Sequence, residues 1–185
     1  IEHQFEYLFI HSEQRVELER CSINISSPSL TAPEFQQTVI DKLLYYKIPA
    51  AKICLEITET VDISNLTDAI AFMDAMHEKG CRFALDDFCN GLSSFAYLKY
   101  LPVEYLKIDG VFIKGIVEDT IDYAMVKAIH EVATVMGKKT VAEFVDNEAV
   151  LNKVTELGID YAQGFLLSKP EPLPALGGTI KIIKA

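Results

Sequence analysis

The chain has 185 residues, of which 50% are apolar and 24% are charged, and a mean hydropathy of +0.18. This composition is typical of an ordinary globular domain. The formal net charge of −10 argues against binding of duplex nucleic acid, which needs a basic face, but allows a phosphate ligand bound through divalent cations. No apolar run is long enough to span a bilayer and no signal-peptide pattern occurs, so we predict a cytoplasmic domain, either on its own or as the cytoplasmic part of a membrane-anchored protein.

Short apolar or β-branched runs alternate with segments of helical periodicity along the chain. The N-terminal residues 2–18 have a helical pattern. Strands are predicted over residues 21–26, 52–58, 82–88, 104–109, 139–145 and 161–167. Helices are predicted between them, over residues 34–46, 67–79, 93–100, 123–136 and 148–157. The four cysteines lack any zinc-like spacing, so we predict reduced thiols.

Regular alternation of strands and helices predicts a parallel sheet with helical crossovers. A doubly wound dinucleotide-binding sheet would need a glycine-rich turn after its first strand, and SINISSPSL (22–30) has none. The fold class is therefore α/β, a (β/α)₈ barrel, and it is incomplete because such barrels usually take about 250 residues. We expect the missing first unit upstream of Ile1, one partial barrel domain over residues 1–176, and a C-terminal tail over 177–185.

Polar residues recur near the end of each predicted strand. Because the carboxyl ends of barrel strands converge on one site, they are expected to meet there: Asn24, Glu56, Asp86, Asp87, Lys107, Asp109, Glu143 and Gln163. A carboxylate inside an apolar strand is costly unless it is paired or binds a metal. Oxygen ligands suit Mg²⁺ or Mn²⁺ rather than zinc. Adjacent aspartates at a strand end can also bridge two metals, an arrangement that displaces a leaving oxygen from phosphorus.

Two of these polar residues have alternative interpretations. Lys107 would orient or deprotonate an attacking water, or neutralise phosphate charge; taken alone, it could equally be a surface lysine. Asp109 could simply cap the following turn.

Five stretches, in order and at this spacing, resemble the EAL domain, a bacterial second-messenger hydrolase that acts on cyclic di-GMP. They are SINIS (22–26), LEITET (55–60), LDDFCNGLSSFAYLKYLPVEYLKIDGVFI (85–113), KKTVAEFVD (138–146) and DYAQGFLLSKP (160–170). The resemblance implies a TIM-type barrel that opens one phosphodiester of cyclic di-GMP to give linear pGpG, using two Mg²⁺ or Mn²⁺ ions.

The resemblance also implies roles for individual residues. The metal ligands would be Asn24, Glu56, Asp86 and Asp87, with Asp86 bridging the two ions. The catalytic residues would be Lys107, which contacts the catalytic water, Glu143, which is the essential glutamate, and Glu59, which anchors the loop after the Asp-Asp-Phe strand. Substrate contacts would come from Gln163, Asp109 and Asp146.

The chain departs from the family pattern in three places. The Glu-Ala-Leu strand, which carries a further metal-ligating glutamate, would lie upstream of Ile1, so we expect this fragment to be weakly active or inactive. Upstream GGDEF or sensory domains are expected as well. In DDFCNG, Cys89 stands where the family prefers glycine, and Cys tolerates a positive φ poorly. In AEFVD, Phe144 replaces glycine and Asp146 replaces glutamate.

Two alternative functions remain open. One is a degenerate EAL module that binds cyclic di-GMP or a protein partner without catalysis. The other is an unrelated metal-dependent barrel enzyme, such as an aldolase or an enolase-type lyase. Because an incomplete barrel leaves open sheet edges, we also predict a homodimer.

Overall fold

The computed structural model describes residues 1–11, 18–30, 32–58, 66–89, 95–170 and 172. The chain divides into two compact units, the first built around Ile1–Ala84 and the second around Leu85–Glu171. The single domain over residues 1–176 stays a prediction, and the tail over 177–185 lies outside the described residues. No helix in the described ranges is long and apolar enough to cross a membrane.

The first unit contains two paired parallel strands and the start of a third. Its elements in chain order are α1 Glu2–Ile10, β1 Cys21–Ile25, α2 Ser27–Leu30, α3 Pro33–Tyr45, a 3₁₀ turn Ala50–Lys52, β2 Ile53–Thr58, α4 Leu66–Glu78 and the first residues of β3 Arg82–Phe88. In the parallel β1–β2 pair, Asn24 lies opposite Glu56. The first part of β3 neighbours β2 in the sheet.

Burial explains why these segments adopt their structure. β2 is buried continuously from Ile53 to Ile57, as expected for a parallel strand that is covered on both faces. α4 buries Ala69, Phe72, Met73 and Met76, which share one face of the helix. A continuous buried run therefore fixes β2, whereas apolar residues at helical spacing fix α4.

α3 ends in a Schellman motif with a lysine at the left-handed position. The Lys47 amide donates to the Leu44 carbonyl at 3.2 Å and the Ile48 amide donates to the Leu43 carbonyl at 3.0 Å. Lys47 has φ +50°, a conformation that residues with a Cβ adopt at a cost of about 1–2 kcal/mol. Glycine at this position would avoid that cost.

We therefore expect Lys47→Gly to be more stable than Lys47→Ala by about 1 kcal/mol in urea unfolding, because both variants lose the lysine side chain but only alanine keeps the Cβ. Equal stability of the two variants would show that the left-handed backbone carries no strain here.

The second unit contains the rest of β3 and the remaining strands. Its elements are α5 Phe95–Leu98, β4 Tyr105–Ile108, α6 Gly110–Gly115, α7 Thr120–Val135, β5 Lys139–Ala142, α8 Glu148–Glu156 and β6 Tyr161–Ala162. The strands neighbour one another in the order β3, β4, β5, β6, and the β4–β5 and β5–β6 pairs are parallel. Lys107 is the register partner of Val141.

The predicted α/β architecture with parallel strands is confirmed, but several element bounds are corrected. β5 ends at Ala142, before the predicted residue 145, because Phe144 has φ +54° and leaves the extended conformation. β6 is only two residues long, because the chain turns at Gly164, whose carbonyl accepts from the amides of Leu167 and Ser168. α7 begins at Thr120, ahead of the predicted residue 123, because Asp119 caps it.

The four cysteines form no disulfide within the described residues, and the reduced state of the thiols stays a prediction. Cys54 and Cys81 are each 1% exposed. Both therefore act as small apolar core residues.

Candidate metal and active site

An acidic cluster lies at the carboxyl ends of strands in the second unit. Asp86 and Asp87 belong to the last residues of β3, and Glu143 directly follows β5. Carboxylate oxygens of these three residues lie within 4.8 Å of one another. Strands β3 and β5, which lie on either side of β4 in the sheet, thus bring together acidic residues that are far apart in sequence, as the sequence pattern predicts.

The register of β4 and β5 explains why Lys107 joins this cluster. Lys107 is level with Val141, and Glu143 comes two residues after Val141. Side chains two residues apart in an extended chain point to the same face of the sheet, so Lys107 and Glu143 share a face. The Glu143 amide still donates to the Ile108 carbonyl at 3.3 Å, which continues the ladder by one residue.

Lys107 bridges two of the carboxylates. Its Nζ lies 2.7 Å from Asp86 Oδ1 and 2.9 Å from Glu143 Oε1, and its side chain is only 6% exposed. The alternative of a surface lysine is therefore wrong. One buried ammonium contacts two buried carboxylates, and the exposed carboxylate of Asp87 lies beside them, so the cluster carries an excess of negative charge.

Glu143 is the most strongly perturbed carboxyl of the cluster. Burial raises its pKa to about 7, and the attraction of Lys107 only partly opposes that rise. The nearby charges of Asp86 and Asp87 raise the pKa further. The group can therefore exchange a proton near neutral pH.

Asp87 is brought to the cluster by a left-handed turn at the strand end. Its φ is +54°, and its amide donates to Asp86 Oδ1 at 3.1 Å. Such a turn is what the sequence requires if two adjacent aspartates are to serve one site. Desolvation, and then the charges of Asp86 and Asp109, raise the pKa of the Asp87 carboxyl.

Asp109 caps the helix that follows β4. Its Oδ1 accepts from the Val111 amide at 2.6 Å, and the residue is 7% exposed. The capping alternative is therefore correct. A role in substrate binding stays a prediction for Asp109.

The other proposed site residues lie in varied surroundings. In the first unit, Asn24 is exposed, whereas Glu56 on the neighbouring strand is 7% exposed. In the second unit, Gln163 is exposed and its backbone continues the ladder, with its amide donating to the Ala142 carbonyl at 2.8 Å. Asp146 is exposed and accepts from Asn147 Nδ2 at 2.7 Å. Glu59 lies outside the described residues.

Both residues that replace an expected glycine have left-handed backbones. Cys89 has φ +72° and Phe144 has φ +54°. The backbone thus keeps a conformation that suits glycine, although neither side chain favours it. Cys89 directly follows β3 and Phe144 comes two residues after β5. Each acidic strand end is therefore next to one of the two residues that replace glycine.

Two features of this region were not foreseen from the sequence. One is the double ion pair of Lys107, for which the only sequence signal was a single cation inside a strand among acidic strand ends. The other is the contact of the Phe144 side chain with Gly110, where an added Cβ would overlap the ring. A glycine directly after Asp109 was the available signal for that close approach.

The donor set of the cluster fits a hard divalent cation. Asp86, Asp87 and Glu143 supply oxygen only, and their spacing allows one ion to contact all three carboxylates. A cation would also balance the negative charge that Lys107 leaves uncompensated. These residues therefore fit Mg²⁺ or Mn²⁺.

Comparison with known proteins finds relatives of this chain. A family model described as EAL domain matches residues 2–170. The chain is 39% identical over 168 residues to the cyclic di-GMP phosphodiesterase PdeB of Shewanella oneidensis, covering 90% of this chain and 20% of that protein. The chain thus spans about a fifth of the length of this curated relative.

Two solved structures have the same fold. The EAL domain of Mycobacterium smegmatis DcpA superposes with a TM-score of 0.85 at 31% identity, covering 92% of this chain and 78% of that one. The PaMucR phosphodiesterase in complex with c-di-GMP superposes with a TM-score of 0.81 at 31% identity, covering 94% of this chain and 74% of that one. The fold class is accordingly that of a TIM-like α/β barrel.

Proposed function

Because this chain belongs to the EAL domain family, we propose that it is part of an enzyme that hydrolyses one phosphodiester bond of cyclic di-GMP to give linear pGpG. The activity named for PdeB and the ligand bound to PaMucR support this substrate. Mg²⁺ or Mn²⁺ is the proposed cofactor, two ions per site, with Asp86, Asp87 and Glu143 among the groups that hold it.

The observation that carries the proposal is the acidic cluster itself, in which Asp86 and Glu143 are buried and Asp87 is exposed. Carboxylate oxygens of Asp86, Asp87 and Glu143 lie within 4.8 Å of one another, and a single ammonium, that of Lys107, contacts two of them. A structural ion pair needs only one carboxylate per lysine. An excess of carboxylates around one ammonium is instead what a site for a cation and a phosphate ester requires.

The chemistry assigns distinct tasks to the protein's own groups. Water attacks phosphorus, the bond from phosphorus to the 3′ oxygen breaks, and that oxygen gains a proton. Glu143 can take the proton that the attacking water loses, and Lys107 can do so or can neutralise charge on the phosphate. A divalent cation bound here supplies charge stabilisation and lowers the pKa of water.

Further assignments are proposed from the family resemblance. Asn24 and Glu56 are proposed as additional metal ligands, and Gln163, Asp109 and Asp146 as substrate contacts. Glu59 is proposed to act in the loop after β2. A homodimer, upstream GGDEF or sensory domains and a cytoplasmic location also stay proposals.

Binding and turnover can be tested separately. We expect calorimetry in Ca²⁺ to detect cyclic di-GMP binding, and chromatography in Mn²⁺ to detect pGpG that is absent in EDTA and in Asp86→Asn. Binding without any pGpG, both by this chain and by the full-length protein, would support the non-catalytic alternative, and no binding of cyclic di-GMP would contradict the proposal. That this stretch alone is weakly active or inactive stays a prediction, which the same assay measures.

A further inference from the structure

Phe144 directly follows Glu143 and places a large apolar side chain at the edge of the acidic cluster. The side chain is 53% exposed. Its φ of +54° costs a residue with a Cβ about 1–2 kcal/mol, which glycine would avoid. A strained backbone that presents an exposed aromatic ring is unfavourable for folding, so stability alone does not account for phenylalanine at this position.

Two neighbours fix the position of the Phe144 ring. The ring lies against Gly110, where any Cβ would overlap it. The Nζ of Lys114 lies 4.2 Å from the ring centroid, a cation–π contact from the same short helix α6. The ring is therefore held in a defined place although half of it is exposed.

Both partners of this ring contact adjoin reactive groups along the chain. Phe144 is one residue from Glu143, and Gly110 is one residue from Asp109, whose charge acts on Asp87. Adjacent Cα atoms are about 3.8 Å apart, so the ring is carried by backbone that borders the acidic cluster. A flat apolar surface next to a phosphodiester site is suited to a nucleobase.

We propose that Phe144 is a stacking platform for one purine base of the cyclic dinucleotide, and hence a specificity-determining residue for its hydrolysis. This inference rests on the proposed function. A base linked through its ribose to a phosphodiester at the cluster would extend over the strand end that carries Phe144, whose ring is exposed. Stacking of a base on an aromatic side chain contributes about 1–3 kcal/mol.

The test compares Phe144→Leu, which keeps an apolar side chain but loses the ring, with Phe144→Tyr, which keeps the ring. In calorimetry with cyclic di-GMP and Ca²⁺, we expect the Kd of the leucine variant to rise about 5- to 150-fold. The tyrosine variant should stay within about twofold of the parent chain, since tyrosine also stacks.

A matched control is available in the same unit. Tyr100 is 60% exposed and also carries a lysine over its ring, with Lys99 Nζ 4.5 Å from the centroid, but it precedes β4 rather than following a strand. Tyr100→Leu should leave the Kd for cyclic di-GMP unchanged. Mn²⁺ affinity of Phe144→Leu should equal that of the parent, because the carboxylates are intact.

Phe144→Gly is a second variant that removes the ring, and it is expected to fold because glycine suits the positive φ. It should lose the same affinity as Phe144→Leu. The inference is overturned if both variants bind cyclic di-GMP as tightly as the parent chain. If the parent binds Mn²⁺ but no cyclic di-GMP, the proposed function itself fails, and the inference fails with it.

Discussion

Replacing Lys107 by methionine should destabilise the metal-free protein by about 3 kcal/mol, because Asp86 and Glu143 lose their buried counter-charge. The side chains of the three residues are between 6% and 13% exposed, so water can compensate only in part. Methionine is close to lysine in length and has a similar unbranched apolar stem, so packing is largely retained. The loss measured is therefore mainly electrostatic.

Urea unfolding at about pH 8 in EDTA measures this loss, and repeating it in Mn²⁺ tests its origin. Bound Mn²⁺ should restore most of the stability, since it supplies the missing positive charge. Lys127→Met is the matched control, because Lys127 and Glu131 form an exposed pair at 3.9 Å. That control should change the stability by less than about 0.5 kcal/mol. A Lys107→Met protein as stable as the parent in EDTA would contradict the account.

The second large effect concerns pH and Glu143. In the folded protein the pKa of this carboxyl is about 7, above its ordinary value of 4.5. Between these values the folded state keeps a proton that the unfolded chain has lost. The contribution of Glu143 to stability is therefore complete below the lower value and is lost as the pH rises through the upper one. Each pKa unit corresponds to about 1.4 kcal/mol, so the loss is roughly 3 kcal/mol.

Glu143→Gln should remove this pH dependence. In EDTA, the free energy of unfolding of the parent should fall between about pH 5 and about pH 8 by roughly 3 kcal/mol more than that of the variant. Glu131→Gln, which changes an exposed carboxylate, should keep the slope of the parent. Saturating Mn²⁺ should also flatten the slope of the parent, because metal binding displaces the proton. Parallel slopes for parent and Glu143→Gln would contradict the account.

The sequence located the acidic cluster because parallel strands follow a simple rule. Each predicted strand ended near a polar residue, and carboxyl ends of neighbouring parallel strands lie at one edge. Asp86 and Glu143, which are far apart in sequence, could therefore be placed together without coordinates. The ion pairs of Lys107 with Asp86 and Glu143 could not be predicted in this way, because the register between β4 and β5 decides which side chains meet.

The bounds of the last two strands were predicted less well, for a local reason. The run KTVAEFV alternates like a strand up to Val145, but its backbone turns left-handed at Phe144. In a sequence, a glycine is the usual signal for a positive φ. Here phenylalanine, which favours extended structure, stands where the family pattern has glycine. Comparison with the family pattern marks Phe144 and Cys89 as unusual, but single-residue propensity does not.

Titration of the chain with Mn²⁺, followed by electron paramagnetic resonance, tests most directly whether the cluster is a metal site. The account predicts Mn²⁺ binding that weakens at least about tenfold in both Asp86→Asn and Glu143→Gln and is unchanged in Glu131→Gln. Binding of equal strength in the parent, Asp86→Asn and Glu143→Gln would contradict it, because the buried carboxylates would then serve no cation.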